Sequence, residues 1–120
     1  MAVILVVEDD DDVAGLIEHR LSASGHAVSV AADGEAGVAA ARTLRPDVVI
    51  LDWMMPRRNG LQVCEDLRAD EVFARVKIIM LTARAQEIDI ERAYTAGVDE
   101  YMTKPFSPRE LLARVEALIA

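Results

Sequence analysis

Three acidic side chains follow two of the apolar runs in this sequence, and a hydroxyl and an amine follow two later runs. Glu8 and Asp9 end the first run, and Asp52 ends the third. Thr82 ends the fourth run, and Lys104 follows the fifth. Brought together, the ionised carboxylates would exceed the single lysine by about two negative charges. Crowded carboxylates bind cations, and oxygen ligands suit Mg²⁺, so this pattern predicts a magnesium site.

Asp52 is the residue of this group that could react. With a divalent cation beside it, its carboxylate could act as a nucleophile toward phosphorus, while Lys104 stabilises the oxygens of the transition state. Thr82 could donate a hydrogen bond from its hydroxyl to the transferred group. Trp53 directly follows Asp52 and is expected to be a partly exposed neighbour of the site. These residue types predict aspartyl-phosphate chemistry.

Short apolar runs rich in β-branched residues alternate along the chain with segments of helical periodicity. The runs predict five strands, over residues 3–7, 27–30, 48–51, 76–81 and 99–102. Apolar residues at helical spacing predict five helices, around residues 13–21, 35–44, 61–67, 86–96 and 111–119. This alternation is typical of a doubly wound α/β fold with a parallel sheet.

A parallel sheet determines where the reactive side chains lie. The first, third and fourth runs are almost wholly apolar, as central strands buried on both faces must be. The strands of such a sheet end at the same edge, and ligands bind there beside the point where strand order reverses. The residues predicted to share that cleft are Glu8, Asp9, Asp52, Thr82 and Lys104.

Polar residues and glycines mark several of the predicted helix ends. The acids at positions 10–12 are interpreted as an N-cap and as favourable partners of the helix dipole. Gly25 and Gly97 fall where a residue of left-handed conformation commonly ends a helix. Ser107 and Pro108 predict an N-cap followed by proline at the first helical position. These boundaries agree with the apolar periodicity.

The length and charge of the chain restrict its function class. With 120 residues, of which 52% are hydrophobic, the chain is predicted to form one domain over residues 1–120. Its net charge of −8 repels phosphate backbones and anionic lipids, so direct binding to nucleic acid is not expected. No apolar stretch reaches the roughly 18 to 20 residues that span a bilayer, and a cytoplasmic location is expected. Cys64, the one cysteine, is interpreted as a small core residue.

Four segments of the chain, in this order, resemble the motifs of a response regulator receiver domain. They are residues 4–10 (ILVVEDD), 51–56 (LDWMMP) with Asn59 and Gly60, 81–84 (LTAR) and 101–106 (YMTKPF). The resemblance covers essentially the whole chain. It implies a flavodoxin-like sheet of five strands in the order 2-1-3-4-5 with five helices, and a role in two-component signalling.

The resemblance also implies a role for each matching residue of the site. Asp52 would be the phosphoacceptor, and Glu8 and Asp9 the acid pair that holds Mg²⁺. Met54 would bind the metal through its backbone carbonyl. The phosphoryl group would come from a phosphohistidine on a sensor histidine kinase or on a phosphotransfer protein. Its later hydrolysis would be slow and intrinsic to the domain.

Three further residues would connect phosphorylation to output. Lys104 would be the phosphate-binding amine, followed by a cis bond to Pro105. Thr82 would be the switch hydroxyl and Tyr101 the switch aromatic. As Thr82 moves toward the phosphoryl group, Tyr101 is expected to rotate from an exposed to a buried position. The surface formed by the fourth helix, fifth strand and fifth helix would change with it.

The segments 81–84 and 104–111 most resemble receivers that precede a winged-helix DNA-binding domain. This implies a DNA-binding effector domain beyond residue 120 and a homodimer through the same surface. The charges of that dimer are matched by Glu100, Glu110 and Arg114, whereas Ile90 stands where a basic residue is usual. A stand-alone relay protein and one domain of a multidomain enzyme are the alternatives.

Other functions fit the predicted sheet less well. A phosphatase of the haloacid-dehalogenase type also uses an aspartate nucleophile with Mg²⁺, but it needs a second aspartate two residues on, where Met54 stands. A flavodoxin-like FMN carrier needs a first loop that donates N–H groups to a phosphate, which the acids at 8–12 would repel. A docking module without phosphorylation would lack one of the five site residues, and none is missing.

Overall fold

Segments that favour extended backbone alternate with helical segments throughout the computed structural model, which describes residues 1–120. The strands are β1 (Val3–Val7), β2 (Ala27–Ala31), β3 (Val48–Leu51), β4 (Lys77–Thr82) and β5 (Glu100–Thr103). The α-helices are α1 (Asp11–Ala23), α2 (Gly34–Leu44), α3 (Gly60–Arg68), α4 (Glu87–Ala96) and α5 (Pro108–Ile119). The five predicted strands and five predicted helices are therefore confirmed, within a few residues at their ends.

The strands form one parallel sheet in the order β2-β1-β3-β4-β5. The doubly wound α/β fold and the strand order are thus confirmed. β1 pairs with β2 on one side and β3 on the other, so the order of strands reverses at β1. In the register of the central strands, Val7 lies opposite Leu51, and Leu51 lies opposite Met80. This register brings the ends of β1 and β3 side by side.

Alternate residues of the central strands supply two separate cores, because side chains of a strand point to opposite faces. Leu5, Val49 and Met80 belong to the core under α2, α3 and α4. Val6 and Ile50 belong to the second core, which α1 and α5 cover. Strands buried on both faces are thereby fixed in position, and so are the loops at their ends.

The predicted helix ends are confirmed. Asp10 is the N-cap of α1 and accepts the amides of Asp12 and Val13. Ser107 is the N-cap of α5, and Pro108 follows it at the start of the helix. The left-handed positions after α1 and α4 are filled by glycine, at Gly25 (φ 91°) and Gly97 (φ 113°).

Two features differ from the sequence-based expectations. A short 3-10 helix, Glu71–Phe73, lies between α3 and β4, in a segment too short to show helical periodicity. Trp53 was expected to be partly exposed, but only 3% of it is exposed, because it packs into the core beneath α2, α3 and α4. Cys64 is fully buried in the same core, and this burial raises the pKa of its thiol to about 11. None of the helices has the length and apolar character needed to cross a lipid bilayer.

Arg68 joins four parts of the chain on one side of the sheet. Its guanidinium donates to the carbonyl oxygens of Gly97 at 2.9 Å and Phe73 at 3.1 Å. It also donates to Asp99 Oδ2 at 2.8 Å, and the same oxygen accepts the amide of Ile78 at 2.8 Å. Arg68 thus ties the end of α3 to the 3-10 helix and the α4–β5 turn, and Asp99 links that turn to the start of β4.

Replacing Arg68 with methionine is expected to lower the free energy of unfolding by about 2 kcal/mol, because two carbonyls and the Asp99 carboxylate lose a charged donor. Urea denaturation followed by circular dichroism measures this change. Arg42→Met is the control, since Arg42 is an exposed helical arginine, and its effect should stay within about 0.5 kcal/mol. Equal effects of the two substitutions would show that the Arg68 contacts contribute nothing.

Candidate functional site

The carboxyl ends of β1 and β3 place two acids next to each other. The amide of Asp52 donates to the Val7 carbonyl oxygen at 3.0 Å, and the amide of Glu8 donates to the Ala31 carbonyl oxygen at 3.0 Å. These bonds extend the strand ladder by one residue, so the backbone of each acid is held by its neighbouring strand. Glu8 is 3% exposed and Asp52 8% exposed, in positions where an unpaired charge is unfavourable.

Glu8, Asp9 and Asp52 form one cluster of carboxylates. One oxygen atom from each of the three lies within 4.8 Å of the other two. Asp9 is exposed, whereas the other two acids are buried, so the cluster opens to solvent on one side. Carboxylate oxygens with room for water are the donor set that suits Mg²⁺. The residues present therefore fit the predicted ion.

Lys104 extends from the end of β5 to these acids. Its Nζ donates to Glu8 Oε1 at 2.7 Å and to Asp52 Oδ2 at 3.2 Å. The Lys104–Pro105 peptide bond is cis, which confirms the prediction from the resemblance. One ammonium thus neutralises one of the three carboxylates, and the other two charges are left for a cation.

The pKa values of this group reflect its burial. Burial raises the pKa of Glu8 to about 7, the Asp52 charge adds to the effect, and the hydrogen bond from Lys104 opposes it. Burial acts against the charged amine of Lys104, but Glu8 and Asp52 outweigh it and raise the pKa of that amine. Lys104 therefore stays charged at neutral pH, and its hydrogen bond favours the ionised form of Glu8.

The loop after Asp52 carries Met54, for which a backbone metal contact is predicted. The Met54 amide donates to Asp52 Oδ1 at 3.4 Å, and the Met54 side chain is 59% exposed. The predicted metal-binding residues are thus together at one edge of the sheet.

Trp53 lies under two arginines, with the guanidinium carbons of Arg84 and Arg92 at 4.6 Å and 5.6 Å from its ring centroid.

Thr82 and Tyr101 lie outside the cluster of acids, and both form hydrogen bonds with the backbone of Arg84. Thr82 is fully buried, and its Oγ1 accepts the Arg84 amide at 3.3 Å. Tyr101 was expected to start exposed, but its ring is half-buried and its hydroxyl donates to the Arg84 carbonyl oxygen at 2.7 Å. Burial and the charge of Asp89 raise the pKa of Tyr101. The two predicted switch residues therefore contact the same backbone segment.

The sequence reasoning gave Arg84 no role, although it belongs to one of the matching motifs. Its guanidinium donates to Asp89 Oδ1 at 2.8 Å, and Asp89 is only 6% exposed. It also lies 3.5 Å from Met54 Sδ. An acid on the inner side of a helix that follows a loop arginine is the signal that could have indicated this pair. Arg84 connects the loop after β3 with the start of α4.

The family model for the response regulator receiver domain matches residues 4–116. The chain is 43% identical over 116 residues to the alkaline phosphatase synthesis transcriptional regulatory protein PhoP of Bacillus subtilis, covering 97% of this chain and 48% of that protein. It is 45% identical over 114 residues to the DNA-binding response regulator MtrA of Mycobacterium tuberculosis, covering 95% of this chain and 49% of that protein. The chain thus spans about half the length of these relatives, a transcriptional regulatory protein and a DNA-binding response regulator, as the subclass resemblance predicts.

Solved structures agree with this assignment. Chemotaxis protein CheY4 of Vibrio cholerae has a TM-score of 0.93 and 30% identity, with 98% of each chain covered. A sensor histidine kinase receiver domain from Pseudomonas aeruginosa, with a magnesium ion coordinated in its active-site cleft, has a TM-score of 0.90 and 36% identity, covering 98% of this chain and 97% of that one. The chain therefore belongs to the response regulator receiver domains, the phosphorylation-controlled switches of two-component signalling.

Proposed function

We propose that residues 1–120 form one receiver domain that accepts a phosphoryl group on Asp52. The observation that carries this proposal is the shared ammonium of Lys104, which lies 3.2 Å from Asp52 Oδ2 and 2.7 Å from Glu8 Oε1. A strand-end carboxylate beside a fixed cation can attack phosphorus, and the same cation can stabilise the charge that then develops. The donor is a phosphohistidine on a sensor histidine kinase or on a phosphotransfer protein.

In the transfer step, an oxygen of Asp52 forms a bond to phosphorus while the N–P bond of the phosphohistidine breaks. Lys104 stabilises the oxygens of the transferred group, because its amine is already held at the acceptor by two carboxylates. The Thr82 hydroxyl donates a hydrogen bond to the phosphoryl group once it turns from the Arg84 amide. These roles make Asp52, Lys104 and Thr82 the catalytic residues.

Glu8, Asp9 and Asp52, together with the Met54 carbonyl, would hold Mg²⁺. When bound, the ion would supply positive charge beside the oxygens of the phosphoryl group. The charge balance supports this proposal, since three carboxylates surround one lysine amine. Asp9, on the open side of the cluster, would complete the set together with water.

The position two residues after Asp52 favours a switch over a turnover enzyme. A phosphatase with an aspartate nucleophile needs an acid there to protonate its leaving group. Met54 stands at this position, and its side chain is 59% exposed and carries no proton to donate. Hydrolysis of the phosphoryl group by the domain itself would therefore be slow.

Output would pass through the surface of α4, β5 and α5, by way of the switch residues Thr82 and Tyr101. Tyr101 and Asp89 both bind Arg84, so movement of Thr82 would reach the start of α4. A homodimer through this surface is part of the proposal. Its matched charges already pair within the chain, where Arg114 binds Glu100 and Glu110.

The half of PhoP and MtrA that this chain does not cover supports a DNA-binding effector domain beyond residue 120. In such a protein the receiver itself would not contact DNA, since its net charge is −8. Cytoplasmic localisation stays a prediction.

Incubation with acetyl phosphate and Mg²⁺ should add one phosphoryl group to the protein, and Asp52→Asn should abolish this, because an amide cannot act as the nucleophile. Intact-mass spectrometry measures the added group, and hydroxylamine should remove it, as expected for an acyl phosphate. Asp11→Asn is the control, since Asp11 is an exposed acid of the same run, and it should be phosphorylated normally. Equal labelling of the Asp52→Asn variant would refute the assignment.

Addition of Mg²⁺ should change the emission of Trp53, the only tryptophan, because Trp53 directly follows Asp52 in the chain. An open site that retains water predicts a dissociation constant of roughly a millimolar. Asp9→Ala should abolish the response and Asp11→Ala should retain it. A folded wild-type protein whose emission does not change with Mg²⁺ would count against the metal site.

Beryllofluoride, added to the Mg²⁺-loaded protein as a mimic of the phosphoryl group, should change amide hydrogen exchange over residues 83–96 and 99–104. The physical reason is that Thr82, Arg84 and Tyr101 form one hydrogen-bonded unit between the acceptor and α4. The second half of α1 is the internal reference and should exchange at an unchanged rate. Unchanged exchange around Tyr101 would remove this switch mechanism even if Asp52 were phosphorylated.

A further inference from the structure

Helix α2 approaches the loop between β3 and α3 more closely than any side chain would allow. A β-carbon at Gly34 would lie 1.8 Å from the Arg58 carbonyl oxygen and 2.6 Å from its carbonyl carbon. The backbone of Gly34 is not in the left-handed region, so its conformation does not call for glycine. What requires glycine there is the contact with the backbone of Arg58.

We name residues 53–59 the acceptor loop, because it directly follows Asp52 and contains Met54. Its ends are drawn together by a hydrogen bond from the Gly60 amide to the Trp53 carbonyl oxygen at 2.8 Å. Within it, Arg57 has a positive φ of 67°, a conformation that residues with a side chain disfavour. A loop of this shape needs support from its surroundings.

The two flanking helices hold the acceptor loop at different points. A β-carbon at Gly60, the first residue of α3, would lie 2.2 Å from the Asp52 carbonyl oxygen, so α3 fixes the start of the loop. Gly34, the first residue of α2, contacts the far part of the loop at Arg58. Arg58 is also tied to α3, since its Nη2 donates to Asp66 Oδ1 at 2.7 Å.

The first turn of α2 is itself well fixed. The Asp33 side chain accepts the Ala36 amide at 2.8 Å, and the Asp33 carbonyl accepts the Gly37 amide at 2.9 Å. One turn further along, a β-carbon at Gly37 would lie 2.8 Å from Val7 Cγ1, a core side chain. The helix cannot easily move away from the loop, so a group added at Gly34 would displace the loop instead.

We infer that Gly34 is a positioning residue for the metal site, although it lies on α2 and contacts none of the acids. It allows α2 to rest directly on the backbone of the acceptor loop, and this contact sets where the Met54 carbonyl lies relative to the carboxylates. The inference rests on the proposed function, because it concerns the same Mg²⁺ site.

The test compares Gly34→Ala with Gly37→Ala in the full chain, using Trp53 emission to measure the affinity for Mg²⁺. Gly34→Ala should weaken Mg²⁺ binding by about 10-fold or more, because changes to groups that orient metal ligands typically cost about 10- to 100-fold in metal affinity. Gly37→Ala meets only a core side chain, so it should lower the thermal midpoint while the Mg²⁺ affinity stays within about 2-fold. Circular dichroism confirms that both variants are folded at the temperature of the titration.

If Gly34→Ala is folded and binds Mg²⁺ as tightly as the wild type, the inference is overturned while the proposed function stands. If the wild type shows no response to Mg²⁺, the proposed function itself fails. If both variants weaken Mg²⁺ binding equally, the effect is one of general stability, and the inference is again overturned.

Hydrogen exchange on the wild-type protein tests the inference even if the Gly34→Ala variant does not fold. Because linkage is reciprocal, a metal that stabilises the acceptor loop should also stabilise the helix that supports it. Saturating Mg²⁺ should slow exchange of the Ala36 and Gly37 amides together with those of the loop, while the Val72 amide in the 3-10 helix stays unchanged. Slower exchange in the loop without slower exchange at Ala36 and Gly37 would overturn the inference.

Discussion

The ammonium of Lys104 is the charge on which the edge of the sheet depends. It binds Glu8 and Asp52, two carboxylates that are almost completely buried. Buried carboxylates without a partner would be unfavourable, and two of them side by side would repel each other. The Lys104 ammonium offsets part of this repulsion, but the site as a whole stays negatively charged, since Asp9 adds a third carboxylate nearby. The site therefore combines a fixed cation with a local surplus of negative charge, and these are the two properties that phosphoryl transfer with a divalent ion requires.

The parallel sheet brings that lysine to those acids. Glu8 and Lys104 are separated by 96 positions in the chain, yet each directly follows a strand of the same sheet. Parallel strands end at one edge, and the two cores on either face leave β1 and β3 no freedom to slide. A register shift of one residue in β3 would turn Asp52 away from the cleft and a core side chain into it. The apolar character of the strands is thus a condition for the chemistry at their ends.

The same logic explains which features can be predicted from the sequence. Strand-end residues such as Glu8 and Asp52 directly follow apolar runs that can be read from the sequence, so both the fold and the acid cluster could be predicted. Trp53 and Arg84 could not, because their positions depend on which distant side chains cover them. Trp53 packs into the core, and arginines from the β4–α4 loop and from α4 lie over its ring. The contact of Gly34 could not be predicted either, since the Arg58 backbone that it touches lies 24 positions further along the chain.

The two sides of the site differ in how many contacts fix them in place, and this difference suits a switch. On one side, the acceptor loop is fixed by close backbone contacts at Gly34 and Gly60 and by the capping box that begins α3. On the other side, α4 begins without a side-chain cap and buries only Asp89 and Ala93. A charge added at the acceptor acts on both sides, but the element with fewer buried contacts has the lower free energy of rearrangement. The response should therefore be transmitted toward α4, while the residues that bind the metal keep their geometry.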